Sequence, residues 1–243
     1  MKNSKQRLIH KGLPISEMKK YRRSKKLSFF QTQLLAWYKD YGRRFSWRQP
    51  SCSLFTQVLA EILLQRTPAG RVDSVLPLLT QKFRTWQAIA LASEYDLQVH
   101  LKTLGLWRRR VSALRKFAAE MHRRNGSFPR DRKELESLPA VGQYIANAIL
   151  LLAHSERQPL LDVNMARVLE RFFGPRQFVD IRYDQYLQQL SRVVLWGVDA
   201  KLMNWAILDF AVALCRNNRP LCEQCPLKSR CSYYEAQQPQ CAS

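Results

Sequence analysis

The sequence predicts an all-helical protein, and three observations carry that expectation. Apolar residues recur three and four positions apart through most of the chain, the spacing that lines one face of a helix. Sustained alternation of apolar and polar residues is hard to find and β-branched residues rarely cluster, so strands are not expected. Turn-forming residues punctuate the periodic stretches at Gly105, Asn125-Gly126, Pro139, Gly142, Pro159, Gly174-Pro175 and Gly197.

Taken in order, residues 1–28 hold ten Lys or Arg against a single acid, Glu17, and read as a solvated basic tail. The first helix is expected from Phe29, with Phe30, Leu34, Leu35, Trp37 and Tyr38 at helical spacing and a stop at Tyr41-Gly42. Residues 53–66 put Leu54, Phe55, Val58, Leu59, Ile62 and Leu63 on one face. The same periodicity predicts helices near 71–83, 85–92, 94–102, 108–124, 131–137, 143–154, 163–173, 182–196 and 199–214. No repeat of fixed period is present.

With 243 residues, 46% of them hydrophobic, the chain can bury a sizeable core and is not a disordered segment. No apolar run approaches the roughly 18 residues of a membrane span, and the charged start is not followed by the apolar stretch of a secretory signal. A cytoplasmic protein is expected, nucleoid-associated if the source is prokaryotic. Forty Lys plus Arg against 19 Asp plus Glu leave a formal charge of +21 and a pI of about 10.2. A polyanion partner is expected, with nucleic acid ahead of an anionic membrane surface or a ribosomal setting.

Four of the six cysteines fall within 17 residues, Cys215, Cys222, Cys225 and Cys231, while Cys52 and Cys241 stand apart. A chain with this apolar content has no need of a disulfide framework, so the cluster reads as a metal site in a reducing compartment. Soft thiolates select zinc or an iron–sulfur cluster. Only one C-x2-C knuckle is present, which suits four thiolates wrapping a single cubane better than a paired-knuckle zinc site, with zinc as the alternative.

The Cys215-x6-Cys222-x2-Cys225-Pro226-x4-Cys231 spacing resembles the cluster loop of the endonuclease III-like DNA glycosylases of the helix-hairpin-helix superfamily. Two further motifs agree in the expected order. Leu138-Pro139-Ala140-Val141-Gly142 resembles the family's L-P-G-V-G hairpin, with alanine replacing a glycine, and Leu160-Leu161-Asp162-Val163-Asn164-x2-Arg167-Val168 resembles its aspartate-bearing segment. The resemblance covers roughly residues 29–234. It implies a two-lobed all-α fold: a helical-barrel lobe over 46–156 ending in the hairpin, and a cluster lobe joining 29–45 to 157–235, with a cleft between. It also implies a 4Fe-4S cluster on the four cysteines and duplex DNA as the partner of a monomer.

The resemblance assigns roles residue by residue. The hairpin ending at Gly142 is expected to offer backbone N–H groups to a phosphate, and the carbonyls of Glu136, Leu138 and Val141 to hold a monovalent or divalent cation. Alone, the hairpin would read as an ordinary turn, and Asp162, placed before a helical run, as an N-cap. The family makes Asp162 the anion that stabilises an oxocarbenium-like sugar as the base leaves. Strand-cleaving members carry a lysine where this chain has Tyr144; a phenol cannot form an imine, so water is the expected nucleophile. Glu61, otherwise a helical glutamate at the margin of an apolar face, is expected to protonate the base or position the water. Gln65 and Leu106 match the residues that fill the gap left by the extruded base, although Leu106 read alone competes with core burial. Arg66 joins the DNA-binding set, and Arg108, Arg109 and Arg110 are expected to grip flanking phosphates.

Residues 61–70 end in Arg-Thr-x-Ala-Gly, similar to the thymine-mismatch branch, whereas adenine-mismatch enzymes tend to carry Gln-Gln-Thr there and a serine in place of Tyr144. Those enzymes usually add a C-terminal domain, for which the 12 residues after Cys231 are too few. The expected activity is a monofunctional glycosylase removing thymine or uracil opposite guanine in base excision repair. Its alternatives are an adenine glycosylase acting opposite guanine or 8-oxoguanine, and a non-catalytic iron–sulfur DNA-binding protein.

Overall fold

The computed structural model describes residues 21–237. Cys241 and most of the basic tail lie outside them. Every regular element among the described residues is helical, and none of the helices is long and apolar enough to cross a membrane. The chain divides into two compact units, one running from Arg43 to Gln158 and the other joining the residues up to Gly42 to those from Pro159 onward.

The continuous unit holds seven α-helices: α2 (Leu54–Leu64), α3 (Ala69–Lys82), α4 (Trp86–Leu91), α5 (Glu94–Leu101), α6 (Trp107–Arg123), α7 (Arg132–Ser137) and α8 (Gln143–Ala153), with α1 reserved for the helix that precedes them in the other unit. Four of these seven helices start at side-chain caps that satisfy a first-turn N–H group: Ser53 accepts from Thr56 N, Thr85 from Ala88 N, Ser93 from Asp96 N and Asp131 from Glu134 N. Helix α2 is buried almost around its circumference and packs against α3 and α8. Trp86 fills the space between α4 and α6, edge-on to Phe55 and Phe117.

In the discontinuous unit, α1 (Lys25–Tyr41) packs on α11 (Ala200–Ala213), and α9 (Val163–Phe173) packs on α10 (Gln185–Val193), α11 and the short α12 (Ser232–Glu235). Leu27, Phe30, Leu34 and Trp37 of α1 share a core with Met165, Leu169, Phe172, Ile207 and Phe210.

Two helix starts differ from the sequence expectation by three residues or more. Helix α1 begins at Lys25, not Phe29, because Ser24 caps it and Leu27 is buried, so the basic tail ends earlier than residue 28. Helix α10 begins three residues later than expected. The buried Asp184 carboxylate accepts from Leu187 N as its cap and also from Gln177 N and Phe178 N, winding the preceding loop onto the helix start.

Candidate nucleic-acid interface and active-site residues

Within the continuous unit, α2 and α8 bring together Glu61, expected to handle a proton or the water, and Tyr144, which stands where strand-cleaving relatives carry lysine. Glu61 lies among the apolar residues of α2 and is 5% exposed. Tyr144, in the first turn of α8, donates its hydroxyl to Glu61 Oε2 at 3.0 Å. A carboxylate in this position needs donors to offset lost hydration, and the phenol supplies one.

The hairpin before α8 corrects one expectation. The tight turn belongs to Ala140, which sits at φ 64°, while Gly142 adopts φ −104° and ψ −174°, an extended conformation open to any residue. A Cβ at Gly142 would meet nothing within 4 Å, so the glycine leaves the backbone open to close approach from outside. Gly142 contributes no capping side chain to α8. Leu138 O accepts from Val141 N at 3.1 Å, closing the turn with one of its two lone pairs. Glu136 spends its carboxylate on Arg132, whose guanidinium also reaches Asn147 Oδ1 at 2.5 Å and ties α7 to α8.

Next to the hairpin is an open groove of about 180 Å³ whose rim includes Gln65, Arg66, Leu106, Arg109, Arg110 and Ala140. Three of these, Arg66 (φ 56°), Leu106 (φ 49°) and Ala140 (φ 64°), hold left-handed backbone conformations without being glycine. Such strain is over-determined by its surroundings where it persists and gathers at working surfaces. Leu106 is 58% exposed at the start of α6, so the core-burial reading of this residue does not hold. Gln65 is exposed and donates Nε2 to Ala140 O at 3.4 Å, joining the end of α2 to the hairpin.

The three arginines after Leu106 do not act alike. Arg108 and Arg109 are exposed, Arg108 lying over the Trp107 ring. Arg110 is turned inward, donating to Gly105 O, Leu63 O, Gln65 O and Thr67 Oγ1, so it holds protein loops together and is not set out for phosphate. A signal for this was legible: Arg110 extends the buried stripe Leu114, Phe117 and Met121 of α6 by one turn.

In the other unit Asp162 caps α9, its Oδ1 accepting from Asn164 N at 2.9 Å and Met165 N at 2.8 Å. Its Oδ2 accepts from Asn164 Nδ2 at 2.7 Å. Burial pushes its carboxyl above the usual carboxylate value, outweighing these hydrogen bonds and the pull of Arg167. Asn164 Oδ1 in turn accepts from Arg167 Nη2 at 3.1 Å, and Arg167 donates onward to Cys215 O and Ala211 O. Arg171, one turn further along α9, donates to the carbonyls of Arg216 and Asn217. Sequence reading missed this chain from Asp162 to the cysteine loop, because it needs α9 packed against the end of α11.

The thiols of Cys215, Cys222, Cys225 and Cys231 are free and partly buried, and each lies within electrostatic reach of others in the set. Burial pushes the first three upward, Cys225 to about 12. Among the described residues, no three His, Cys, Asp or Glu side chains converge on one point as they would around a single ion. Of the loop's basic residues, Lys228 pairs with Glu223, and Arg230 donates to Lys25 O and covers the Phe29 ring.

Residues 59–204 match the model of the HhH-GPD superfamily base excision DNA repair proteins. The chain belongs to this family. The match spans Glu61, Gln65, Leu106, the hairpin, Tyr144 and Asp162 and stops before Cys215. Among this family's members, a thymine/uracil-DNA glycosylase of Pyrobaculum aerophilum is 32% identical over 85% of this chain and 92% of its own length. One from Methanothermobacter thermautotrophicus is 29% identical over 87% of this chain and 96% of its own. A thermostable thymine-DNA glycosylase structure superposes with a TM-score of 0.80 at 29% identity, covering 87% of this chain and 98% of that one.

Proposed function

We propose that this HhH-GPD protein is a monofunctional DNA glycosylase that hydrolyses the N-glycosidic bond of thymine or uracil mispaired with guanine. The observation that carries the reading is the Tyr144–Glu61 hydrogen bond of 3.0 Å. At the hairpin position where an amine nucleophile would make a strand-cleaving enzyme, this chain holds a phenol that commits its proton to a buried carboxylate. Water is then the nucleophile, and Glu61 is the group that holds or delivers a proton. Asp162 supplies the negative charge that the oxocarbenium-like sugar needs as the base departs. Gln65 and Leu106, exposed on one groove rim, are a polar and an apolar side chain suited to the space an extruded base vacates. Gly142, bare of any Cβ, lets a phosphate approach the start of α8. The thymine and uracil preference is supported by the names of the similar family members and by the Arg-Thr-x-Ala-Gly run.

The same reading assigns a 4Fe-4S cluster to Cys215, Cys222, Cys225 and Cys231. Four free thiols on one short loop form the all-sulfur donor set that such a group takes. When bound, such a cluster would supply iron that cross-links the four thiolates of this loop, while Arg167 and Arg171 hold the loop's first carbonyls to α9. A cation on the carbonyls of Glu136, Leu138 and Val141 belongs to the same proposal.

The test is single-turnover base release from G·T, G·U, A·G and A·8-oxoguanine duplexes, together with iron, sulfide and zinc analysis of anaerobically purified protein. Thymine and uracil should leave, and the intact abasic strand should break only in alkali. Faster adenine release would give the site to the alternative activity, and a borohydride-trapped covalent adduct would refute hydrolysis by water. No release from any duplex would leave a DNA-binding protein without catalysis. Colourless protein holding stoichiometric zinc would overturn the cluster.

A further inference from the structure

We infer that Arg110 is a positioning residue that sets the spacing of the two gap-filling side chains, Gln65 and Leu106; the inference rests on the glycosylase reading above. All three guanidinium nitrogens are engaged. Nε donates to Gly105 O at 2.9 Å, Nη1 to Leu63 O at 3.1 Å, and Nη2 to Gln65 O at 2.7 Å and Thr67 Oγ1 at 2.5 Å. Three of these acceptors lie at the end of α2 and one in the turn that carries Leu106, so one planar group joins two segments about forty residues apart in sequence.

Both segments need such a brace. Arg66 and Leu106 each hold a left-handed backbone that an L-residue leaves when released. Gln65 and Leu106 are exposed, and the bond from Gln65 Nε2 to Ala140 O ties Gln65 to the hairpin and not to Leu106. The guanidinium fork supplies the missing constraint because its donors diverge in one rigid plane. An ammonium carries the same charge on one nitrogen and cannot span both segments. Arg108 and Arg109, facing solvent, stay free to meet the backbone of DNA, which separates their work from that of Arg110.

Arg110→Lys therefore keeps the charge and removes the brace, and Thr67→Val removes one acceptor without touching charge. Both are compared with the wild-type protein on a G·T duplex carrying 2-aminopurine beside the mismatch. For Arg110→Lys, duplex affinity should stay within about twofold. The single-turnover rate at saturating protein should fall by about ten- to a hundredfold, the scale of a small misplacement in a positioned site. The 2-aminopurine emission that reports unstacking should fall with it, and Thr67→Val should show a smaller loss in the same direction. A loss confined to affinity, with wild-type emission and rate at saturation, would make Arg110 a phosphate contact and overturn the inference. Variants matching wild type in rate and emission would overturn it too, as would a melting temperature that drops in proportion to the rate in both variants. If the wild-type protein itself released no base, the glycosylase reading would have failed instead.

Discussion

Asp162→Asn separates the two roles that one carboxylate plays. The amide keeps an oxygen to accept from Asn164 N and Met165 N, and Asn ranks with Asp as an N-cap, so the start of α9 survives. The amide nitrogen, however, faces Asn164 Nδ2, and the 2.7 Å bond there is lost at a cost of about 1 kcal/mol. Against that, the fold no longer buries a charge. The sign follows from the raised folded-state pKa. Between the unfolded value and the folded one the native state binds more protons, so the wild-type protein loses stability as pH rises through that window and stays lower above it. The two effects oppose, and the variant should melt within about 4 °C of wild type at neutral pH. Catalysis has no such offset. A unit charge about 4 Å from a developing cation, at an effective dielectric constant of about 20, contributes about 4 kcal/mol. Its loss should slow thymine release by roughly a thousandfold. The assay is single-turnover release from G·T duplex alongside thermal melting and duplex binding. A variant that binds, melts like wild type and keeps its rate within tenfold would reduce Asp162 to a helix cap.

Other outcomes follow from the same geometry. The base-release rate of the wild-type protein should decline on acidification at a pH above the ordinary aspartate value of 3.8, because the anion is lost there, and an acid limb at or below 3.8 would contradict the buried placement. Tyr144→Phe removes the donor on buried Glu61 and should slow release by about ten- to a hundredfold, given that hydrogen bonds to charged groups contribute about 1.5–3 kcal/mol; an unchanged single-turnover rate would show the contact to be incidental. Ala140→Gly relieves a left-handed backbone and should raise the melting temperature by about 1–3 °C in calorimetry, and a fall would mean the turn is not held at φ 64°. Gly142→Ala meets no steric obstacle within the protein and should leave the melting temperature unchanged or higher, yet weaken duplex binding in a salt titration; undiminished affinity would remove the hairpin from the DNA contact.

Much of this protein was legible in one dimension. Helical periodicity is a local signal, so the order of elements followed from spacing alone, and α9 was expected over the residues it occupies. The one-loop cysteine spacing, the hairpin and the aspartate segment are likewise local, and the family match covers the last two. Where reading failed, the cause was a contact between residues distant in sequence or a backbone angle. The alanine in place of the hairpin's glycine was visible in the sequence, but only chain geometry showed that Ala140, and not Gly142, takes the left-handed backbone. Three consecutive arginines looked equivalent because charge carries no direction, and only the return of α2 beside the start of α6 gave Arg110 its acceptors. Composition and periodicity thus determined that this would be a basic, all-helical protein with its chemistry in a few short motifs. Tertiary structure decided which carboxylate meets the tyrosine, which leucine stays in solvent and which arginine turns inward, because each depends on packing between segments that the sequence keeps tens of residues apart.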